Sequence, residues 1–477
     1  MEPSDLSPVT SENKKTGHAL KAWPFYRMAC GIALPIAAQN LAHAMITAAD
    51  VIMLGFIDQN ALTATSLAGQ FMNILNSFFF SVTAGASVLT AQYWGKKDIA
   101  SIEKIYGIAL RFSLLFALLF FILAFFFPGT LMKLYTSDPD IVRLGARYLR
   151  IIAVTYLLQG FTQTYLAILR SMERMVLPAA AYISSLILNI VLNAVFIFGL
   201  FGVPKIGLTG VAIGTVAANL LTAVICLADS FLHKDIRLHF SSMLTKSKLL
   251  LKDMLKLSVP ALFNDLGWGL GGALYPAILG HLAGGTDAIA ADSVASVANT
   301  LGTVLCYAFG NATSIIIGKS IVENDHKTTK LYSRRMLLAT AVMCAIGSGL
   351  IFAVKPLVIS FFADKLNQTA LGYLNLMFII NSIFIWGEGI NTCLIIGCFR
   401  AGGEASYCMR MDLITMWCLS LPISCLAAFV FKLPVMGVFA ITKLDEFYKM
   451  PVVIRHYIRY GWIHDLTRSQ QELAEDK

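Results

Sequence analysis

The stretch MVLPAAAYISSLILNIVLNAVFIFGLFGVP, residues 175–204, decides the fold of this chain because it contains no charged side chain. A helix needs about 20 mainly apolar residues to cross a bilayer. Similar charge-free runs occupy residues 112–132, 151–169, 206–228, 293–318, 336–354 and 413–431. The sequence therefore predicts an all-α protein that crosses a membrane many times.

The composition of the whole chain supports the same interpretation. Of its 477 residues, 57% are hydrophobic and 14% are charged, and the mean hydropathy is +0.70. A soluble domain carries about 25% charged residues, so a cytosolic enzyme, a nucleic-acid-binding protein and a secreted disulfide scaffold are excluded. Because residues 1–25 do not show the pattern of a signal peptide, we expect the first apolar helix to be retained.

The apolar runs predict twelve helices, near residues 26–56, 63–94, 105–131, 141–170, 176–200, 206–232, 253–281, 287–321, 331–354, 367–399, 405–431 and 433–456. Residues 26–232 form a predicted N-lobe and residues 253–456 a C-lobe. Residues 233–252 link the lobes, and residues 1–25 and 457–477 are terminal segments. The twelfth helix is the least apolar, and we expect its charged residues after position 442 to reach toward the membrane interface.

The distribution of basic residues orients these helices. The N-terminus, the C-terminal tail and the alternate loops on their side contain 29 of the 37 Lys and Arg residues, and the opposite side contains 8. Basic residues concentrate on the cytoplasmic side of membrane proteins. We therefore expect both termini to be cytoplasmic, which requires an even number of helices, in a multi-pass protein of the cell membrane.

The two halves of the chain resemble each other. Residues of similar type recur at an offset of 225, and the offset then drifts: Pro35 with Pro260, Gly85 with Gly310, Gly145 with Gly372, and Arg170 with Arg400. Because each half has an even number of helices, the repeats are parallel and a pseudo-two-fold axis along the membrane normal relates them. Two six-helix bundles facing each other across a cleft are the expected architecture of a carrier.

Polar residues within apolar helices are functional candidates because they are costly in lipid. The first and fifth helices each place such residues on one face: Gln39, His43, Thr47 and Asp50, then Tyr182, Ser185, Asn189 and Asn193. We predict a cation or proton site at Asp50, Asn189 and Asn193. Interhelical hydrogen bonding is the alternative role for Gln39 and Thr47.

Further acids lie in or near the helices of the second half: Asp265, Asp292, Glu388 and Asp412. Asn381 and Asn391 share a helix face with Glu388. Because Asp292 and Asp412 lie closer to helix ends, a solvated or structural role is favoured for them. A buried carboxylate can exchange a proton or Na⁺ for a cationic substrate. No nucleotide-binding loop and no metal-ligand spacing occur, so no cofactor beyond the coupling ion is expected.

Several segments resemble the multidrug and toxic compound extrusion (MATE) family. They include IALPIAAQN (32–40), ITAADVIMLGFID (46–58), SVLTAQYWGKKD (87–98), LSVPALFNDLGWGLGG (257–272) and GCFRAGGEAS (397–406). The resemblance covers residues 25–468 and implies twelve helices in two bundles that export organic cations against H⁺ or Na⁺. Asn193 stands where some archaeal-type members have a second Asp, so the chain resembles the NorM-like branch more closely.

The resemblance also implies roles for individual residues. Asp50 matches the acid of the family's cation site, Asn189 matches its fifth-helix asparagine, and Pro35 matches the proline at which the first helix bends. Glu388 matches the tenth-helix acid of NorM-like members, whereas Asp265 lies nearly one turn from their seventh-helix acid.

These observations predict a secondary antiporter, not an enzyme, that exports organic cations or drugs by alternating access and acts as a monomer. The alternative is a flippase for lipid-linked oligosaccharides, a related superfamily of similar build. A flippase would need cationic side chains in its cleft for pyrophosphate, whereas the intramembrane charges here are mainly acidic. An intramembrane enzyme is disfavoured because no histidine has a suitable partner.

Overall fold

A computed structural model of the protein describes residues 20–55, 59–136, 138–202, 204–232, 247–323, 326–363 and 366–469, together with residue 472. The side chains of residues 43, 44, 46–55, 59–62 and 286 lie outside this description. Throughout the described ranges the regular structure is helical. Most of the predicted linker, residues 233–252, is not described.

The N-lobe contains six long helices. They are α1 (Ala22–Gly55), α2 (Gln59–Gly95), α3 (Ile99–Phe126), α4 (Pro139–Ser171), α5 (Val176–Phe198) and α6 (Gly207–Leu232). A short helix, Pro128–Lys133, connects α3 to α4. The prediction of one helix over 105–131 was wrong at its end, because a residue that precedes a proline is disfavoured in helical geometry. Phe127, before Pro128, accordingly has φ −122° and ψ 37°.

The C-lobe contains the corresponding helices, several of which change their winding. They are α7 (Lys248–Gly280), α8 (Gly285–Glu323), α9 (His326–Phe362), α10 (Gln368–Asn391, continued by the π-helix Thr392–Phe399), α11 (Ala405–Leu413, Ile414–Ser420, Leu421–Cys425 and Leu426–Val430) and α12 (Val435–Thr442 and Asp445–Arg459). In α11, the second and fourth segments are π-helical. The start of α7 precedes the predicted position 253 because the Ser247 hydroxyl accepts a hydrogen bond from the Leu250 N–H and caps the helix.

Eight of the described helices are long and apolar enough to cross a membrane. They are Thr63–Gly95, Ile99–Phe126, Val176–Phe198, Gly207–Leu232, Asp287–Glu323, His326–Phe362, Gln368–Phe399 and Ala405–Val430. The helices α1, α4, α7 and α12 are not among these eight. Charged residues of α4, α7 and α12 line the cavities described below, including Arg170, Asp265 and Lys449.

The winding of α10 helps to explain the drift of the internal repeat. Between Gly145 and Arg170 in α4 the offset to the second half grows from 227 to 230, so α10 holds extra residues. The π-helix Thr392–Phe399 lies in this interval and ends immediately before Arg400. A π-turn contains more residues than an α-turn. Part of the insertion is therefore absorbed without lengthening the helix.

The two lobes touch closely where α2 crosses α7. A Cβ atom on Gly85 would contact Ser258 Oγ and lie 2.9 Å from the Met254 carbonyl oxygen, so a larger residue would require the α7 backbone to move. One turn earlier in α2, the Ser81 hydroxyl donates a hydrogen bond of 2.5 Å to the Ser258 carbonyl. Small residues allow this close approach of two helices, as is common within membranes.

The C-terminal segment, residues 462–468, ties the lobes together at one end of the molecule. The buried Gln92 side chain of α2 donates to the carbonyls of Ala401 (2.8 Å) and His464 (3.2 Å) and accepts from the Leu466 N–H (2.7 Å). Arg468 forms two 2.9 Å hydrogen bonds to the Asp253 carboxylate. We call this set of contacts the C-terminal clasp.

A further ion pair closes the same end of the molecule. Lys319, near the end of α8, lies 2.6 Å from the Glu173 carboxylate of the N-lobe. The backbone of α2 approaches α8 beside this pair, since a Cβ on Gly95 would lie 2.9 Å from the Lys319 carbonyl oxygen. The lobes are thus in direct contact at this end.

Candidate functional site

The larger of two polar cavities lies in the C-lobe, among α7, α8, α10, α11 and α12, and has a volume of about 490 Å³. We call it the acidic cavity. Six carboxylates line it: Asp265, Asp292, Glu388, Asp412, Asp445 and Glu446. Three basic side chains, Arg400, Lys443 and Lys449, also line it. The lining therefore has a formal excess of three negative charges.

Lys449 neutralises part of this acidity. Its ammonium lies 2.8 Å from Asp412 Oδ1 and 2.9 Å from Glu446 Oε1, and its side chain is only 4% exposed. Amide groups of Asn264 and Asn391 donate hydrogen bonds to the other carboxylate oxygens, at 2.9 and 2.8 Å. Because each ion is paired and hydrogen-bonded, this buried cluster satisfies the conditions under which buried charges are tolerated.

The prediction for the charged residues of α12 was wrong. We expected them to reach the membrane interface, yet Asp445 and Lys449 are buried and line the acidic cavity with Glu446. Glu446 and Lys449 are one helical turn apart, a spacing that places them on one face. That spacing was a signal for a buried charged face. What the sequence did not indicate was the partner, Asp412, on a different helix.

Asp265 and Glu388 are not neutralised by the Lys449 ion pairs. Glu388 accepts a 2.9 Å hydrogen bond from the Tyr307 hydroxyl. Asp265 is half-buried, and within the described ranges no side chain donates a hydrogen bond to it. Both carboxylates line the acidic cavity together with Trp268. They are its best-placed ligands for a cation.

In the N-lobe, the predicted polar face of α5 packs against neighbouring helices. Asn189, 1% exposed, donates to the Thr215 hydroxyl at 3.3 Å and accepts from the Asn193 amide at 3.2 Å. Ser185 donates to the Ala218 carbonyl. The Asp50 carboxyl lies outside the described residues, so its predicted association with the two asparagines stays a prediction.

The second cavity lies between the lobes, has a volume of about 280 Å³, and is called the interlobe cavity. Gln39 of α1 lines it, as do Tyr182 of α5 and Arg170 of α4. Arg400, Phe80 and Ile396 border both cavities. Pro35 lies inside α1 and is half-buried one turn before Gln39. The bending of α1 at this proline stays a prediction.

In the sequence, Arg170 and Arg400 stand out only as matching positions of the repeat. The structure places both on the wall of the interlobe cavity. The expectation that the intramembrane charges are mainly acidic therefore holds for the acidic cavity and not for the interlobe cavity. The signal available in the sequence was their equivalent position in the two halves.

Two helical lobes that enclose charge-lined cavities within a set of membrane-spanning helices define a polytopic membrane transporter. The MatE family profile matches residues 35–195 and 260–429. The two matches begin at Pro35 and Pro260, 225 residues apart, which agrees with the internal repeat. Because these matches cover more than half of the sequence, the chain belongs to the MatE family.

Individual relatives and solved structures agree with this assignment. The chain is 24% identical to the probable multidrug resistance protein YoeA of Bacillus subtilis, over 80% of this chain and 81% of YoeA. It is 23% identical to the probable multidrug resistance protein NorM of Agrobacterium fabrum, over 83% and 86% of the two chains.

A solved multidrug resistance MATE family transporter of the MOP superfamily, in an outward-facing conformation, superposes with a TM-score of 0.81. The match has 17% identity and covers 94% of this chain and 99% of that one. The family and the fold class, twelve transmembrane helices in two six-helix bundles, are thus confirmed.

Proposed function

We propose that the protein is a secondary active antiporter that exports organic cations or drugs in exchange for H⁺ or Na⁺. The observation that carries this proposal is the acidic cavity, with its excess of carboxylates and with Asp265 and Glu388 outside the Lys449 ion pairs. Relatives named as multidrug resistance proteins support the same class of substrate.

The acidic cavity has the chemistry needed for an aromatic cation. Asp265 and Glu388 provide negative charge, and the rings of Trp268, Tyr275 and Phe80 line the same space. Aromatic faces attract organic cations, and a partly dry cavity strengthens that attraction. The acidic cavity is therefore suited to bind an organic cation as substrate, while Asp50 is the proposed site of the coupling ion.

Alternating access follows from the arrangement of the lobes. The C-terminal clasp and the Lys319–Glu173 ion pair hold the lobes together at one end. The positive-inside distribution predicts that this end faces the cytoplasm, and we therefore expect this arrangement of the lobes to be the one closed to the cytoplasm. Binding of the coupling ion at Asp50 favours one orientation of the lobes and binding of substrate the other. The protein acts as a monomer in this mechanism.

The test is efflux of a fluorescent organic cation from proteoliposomes, with a pH gradient and a Na⁺ gradient imposed separately. Asp50→Asn and Asp265→Asn are expected to lower gradient-driven efflux at least tenfold. The matched control is Asp140→Asn, because Asp140 is an exposed acid that pairs with Arg143 outside both cavities. Full efflux by Asp50→Asn would remove the coupling role of that residue, and full efflux by Asp265→Asn would remove the acidic cavity from the substrate path.

A further inference from the structure

The interlobe cavity has the opposite polarity to the acidic cavity. Arg170, near the end of α4, and Arg400, directly after the π-helix of α10, both line it. Its described lining contains no carboxylate. Two arginines from equivalent positions of the repeat thus face one space between the lobes.

Both guanidinium groups lack a full set of protein partners among the described residues. Arg400 is 7% exposed, and no described carboxylate lies within ion-pair distance of it. The Nη1 atom of Arg170 is buried and has no hydrogen-bond partner there. Arg170 does have one neutral partner, the Tyr182 hydroxyl, which accepts from its guanidinium and itself donates to Gln163 at 2.8 Å.

Charged groups also approach Arg400 from the neighbouring cavity. Arg400 borders the acidic cavity, where Asp265 is near enough to interact with it electrostatically but forms no ion pair. On the side of the interlobe cavity, the described side chains around the arginines are neutral, such as Gln39, Asn40 and Ser314. A buried arginine stays charged, and an unpaired buried charge is costly. An anion entering the cavity would offset that cost.

We propose that Arg170 and Arg400 form a binding site for an oxyanion, a carboxylate or a phosphate, carried by an amphiphilic organic molecule. Guanidinium groups bind both kinds of oxyanion through paired hydrogen bonds. The apolar side chains of Ile36, Phe80 and Ile315 line the same cavity and contact the remainder of the ligand. The amides of Gln39 and Asn40 supply further donors. The proposal concerns binding and does not depend on the antiport proposed above.

Three probes with the same fluorophore test the proposal on the full-length protein in detergent, with no ion gradient. Dansylglycine carries a carboxylate, N-dansyl-O-phosphoethanolamine a phosphate, and dansylcadaverine a cation. Wild-type protein is expected to bind at least one anionic probe saturably, and the relative affinities identify the preferred oxyanion. Arg170→Gln and Arg400→Gln are each expected to weaken that binding at least tenfold. Because Arg170 lies outside the acidic cavity, Arg170→Gln is also expected to change dansylcadaverine affinity less than threefold.

Arg174→Gln is the matched control, because Arg174 lies four residues further on, after the end of α4, pairs with Asp229 at 2.9 Å and does not line the cavity. A second measurement needs only the wild-type protein. The bound anionic probe should slow phenylglyoxal modification of Arg170 and Arg400, and not of Arg174, as read by mass spectrometry. Three results would overturn the proposal. Neither anionic probe binds saturably, the glutamine variants bind the anionic probe as tightly as wild type, or the bound probe does not protect the two arginines.

Discussion

Replacing Lys449 with Met should destabilise the C-lobe strongly. The Lys449 ammonium lies between two buried carboxylates, 2.8 Å from Asp412 and 2.9 Å from Glu446. Removing one partner of a buried ion pair leaves an uncompensated charge and costs about 3–5 kcal/mol. We therefore expect the free energy of unfolding to fall by roughly that amount. Lys449→Met should then lower the apparent melting temperature of the detergent-solubilised protein by several degrees.

Lys443→Met is the matched control for this experiment. Lys443 lines the same cavity, but its nearest described aromatic contact is a 5.4 Å approach to the Phe439 ring, worth about 0.5–1 kcal/mol. Replacing Lys443 should lower the free energy of unfolding at least threefold less than replacing Lys449. Adding Asp412→Asn to Lys449→Met removes one stranded charge and should recover at least half of the lost stability. Wild-type melting of Lys449→Met, or no recovery in the double variant, would refute the reasoning.

Two other predictions concern the contacts between the lobes. Gly85→Val should lower the free energy of unfolding by about 1–3 kcal/mol, measured by thermal unfolding, because the new side chain overlaps α7. Gly69→Val is the control and should cost less, because a Cβ there meets nothing within 4 Å. Equal losses of stability in the two variants would contradict the contact between α2 and α7. Arg468→Gln removes both hydrogen bonds to Asp253 and, because this pair is partly exposed, should weaken the clasp by about 1 kcal/mol. Hydrogen exchange over residues 460–469 should then be roughly fivefold faster, and unchanged exchange would count against the clasp.

The sequence predicted the existence of the helices well because long apolar runs mark them. Their ends were predicted less well: the third helix, expected from residue 105, begins at Ile99, because the Asp98 carboxylate accepts from the Ser101 N–H and caps it. The errors have local causes as well, since the break at Phe127 follows from the proline after it. The split of α12 between Thr442 and Asp445 was not predicted, because its apolar half and its charged half were treated as one span.

The candidate site was predicted only in part. Acids such as Glu388 and Asp265 are conspicuous in apolar runs, and both line the acidic cavity. The role of Lys449 was not predicted, because it depends on the ion pair with Asp412. Asp412 lies 37 positions earlier and contacts Lys449 only because α11 packs against α12. Likewise, the shared cavity of Arg170 and Arg400 is created by the docking of two lobes, which no periodicity within one helix encodes.

Gln92 gives the C-terminal clasp a further property. One amide side chain holds one point of the loop after α10 and two points of the C-terminal segment, so these three points share a single anchor. If the lobes rock as proposed, a small separation at this end would leave the buried amide with neither protein nor water as a partner. A partly widened gap between the lobes at this end is therefore the least favourable arrangement. Release at this end should be bistable, an all-or-none step between fastened and fully hydrated states, instead of a gradual slide.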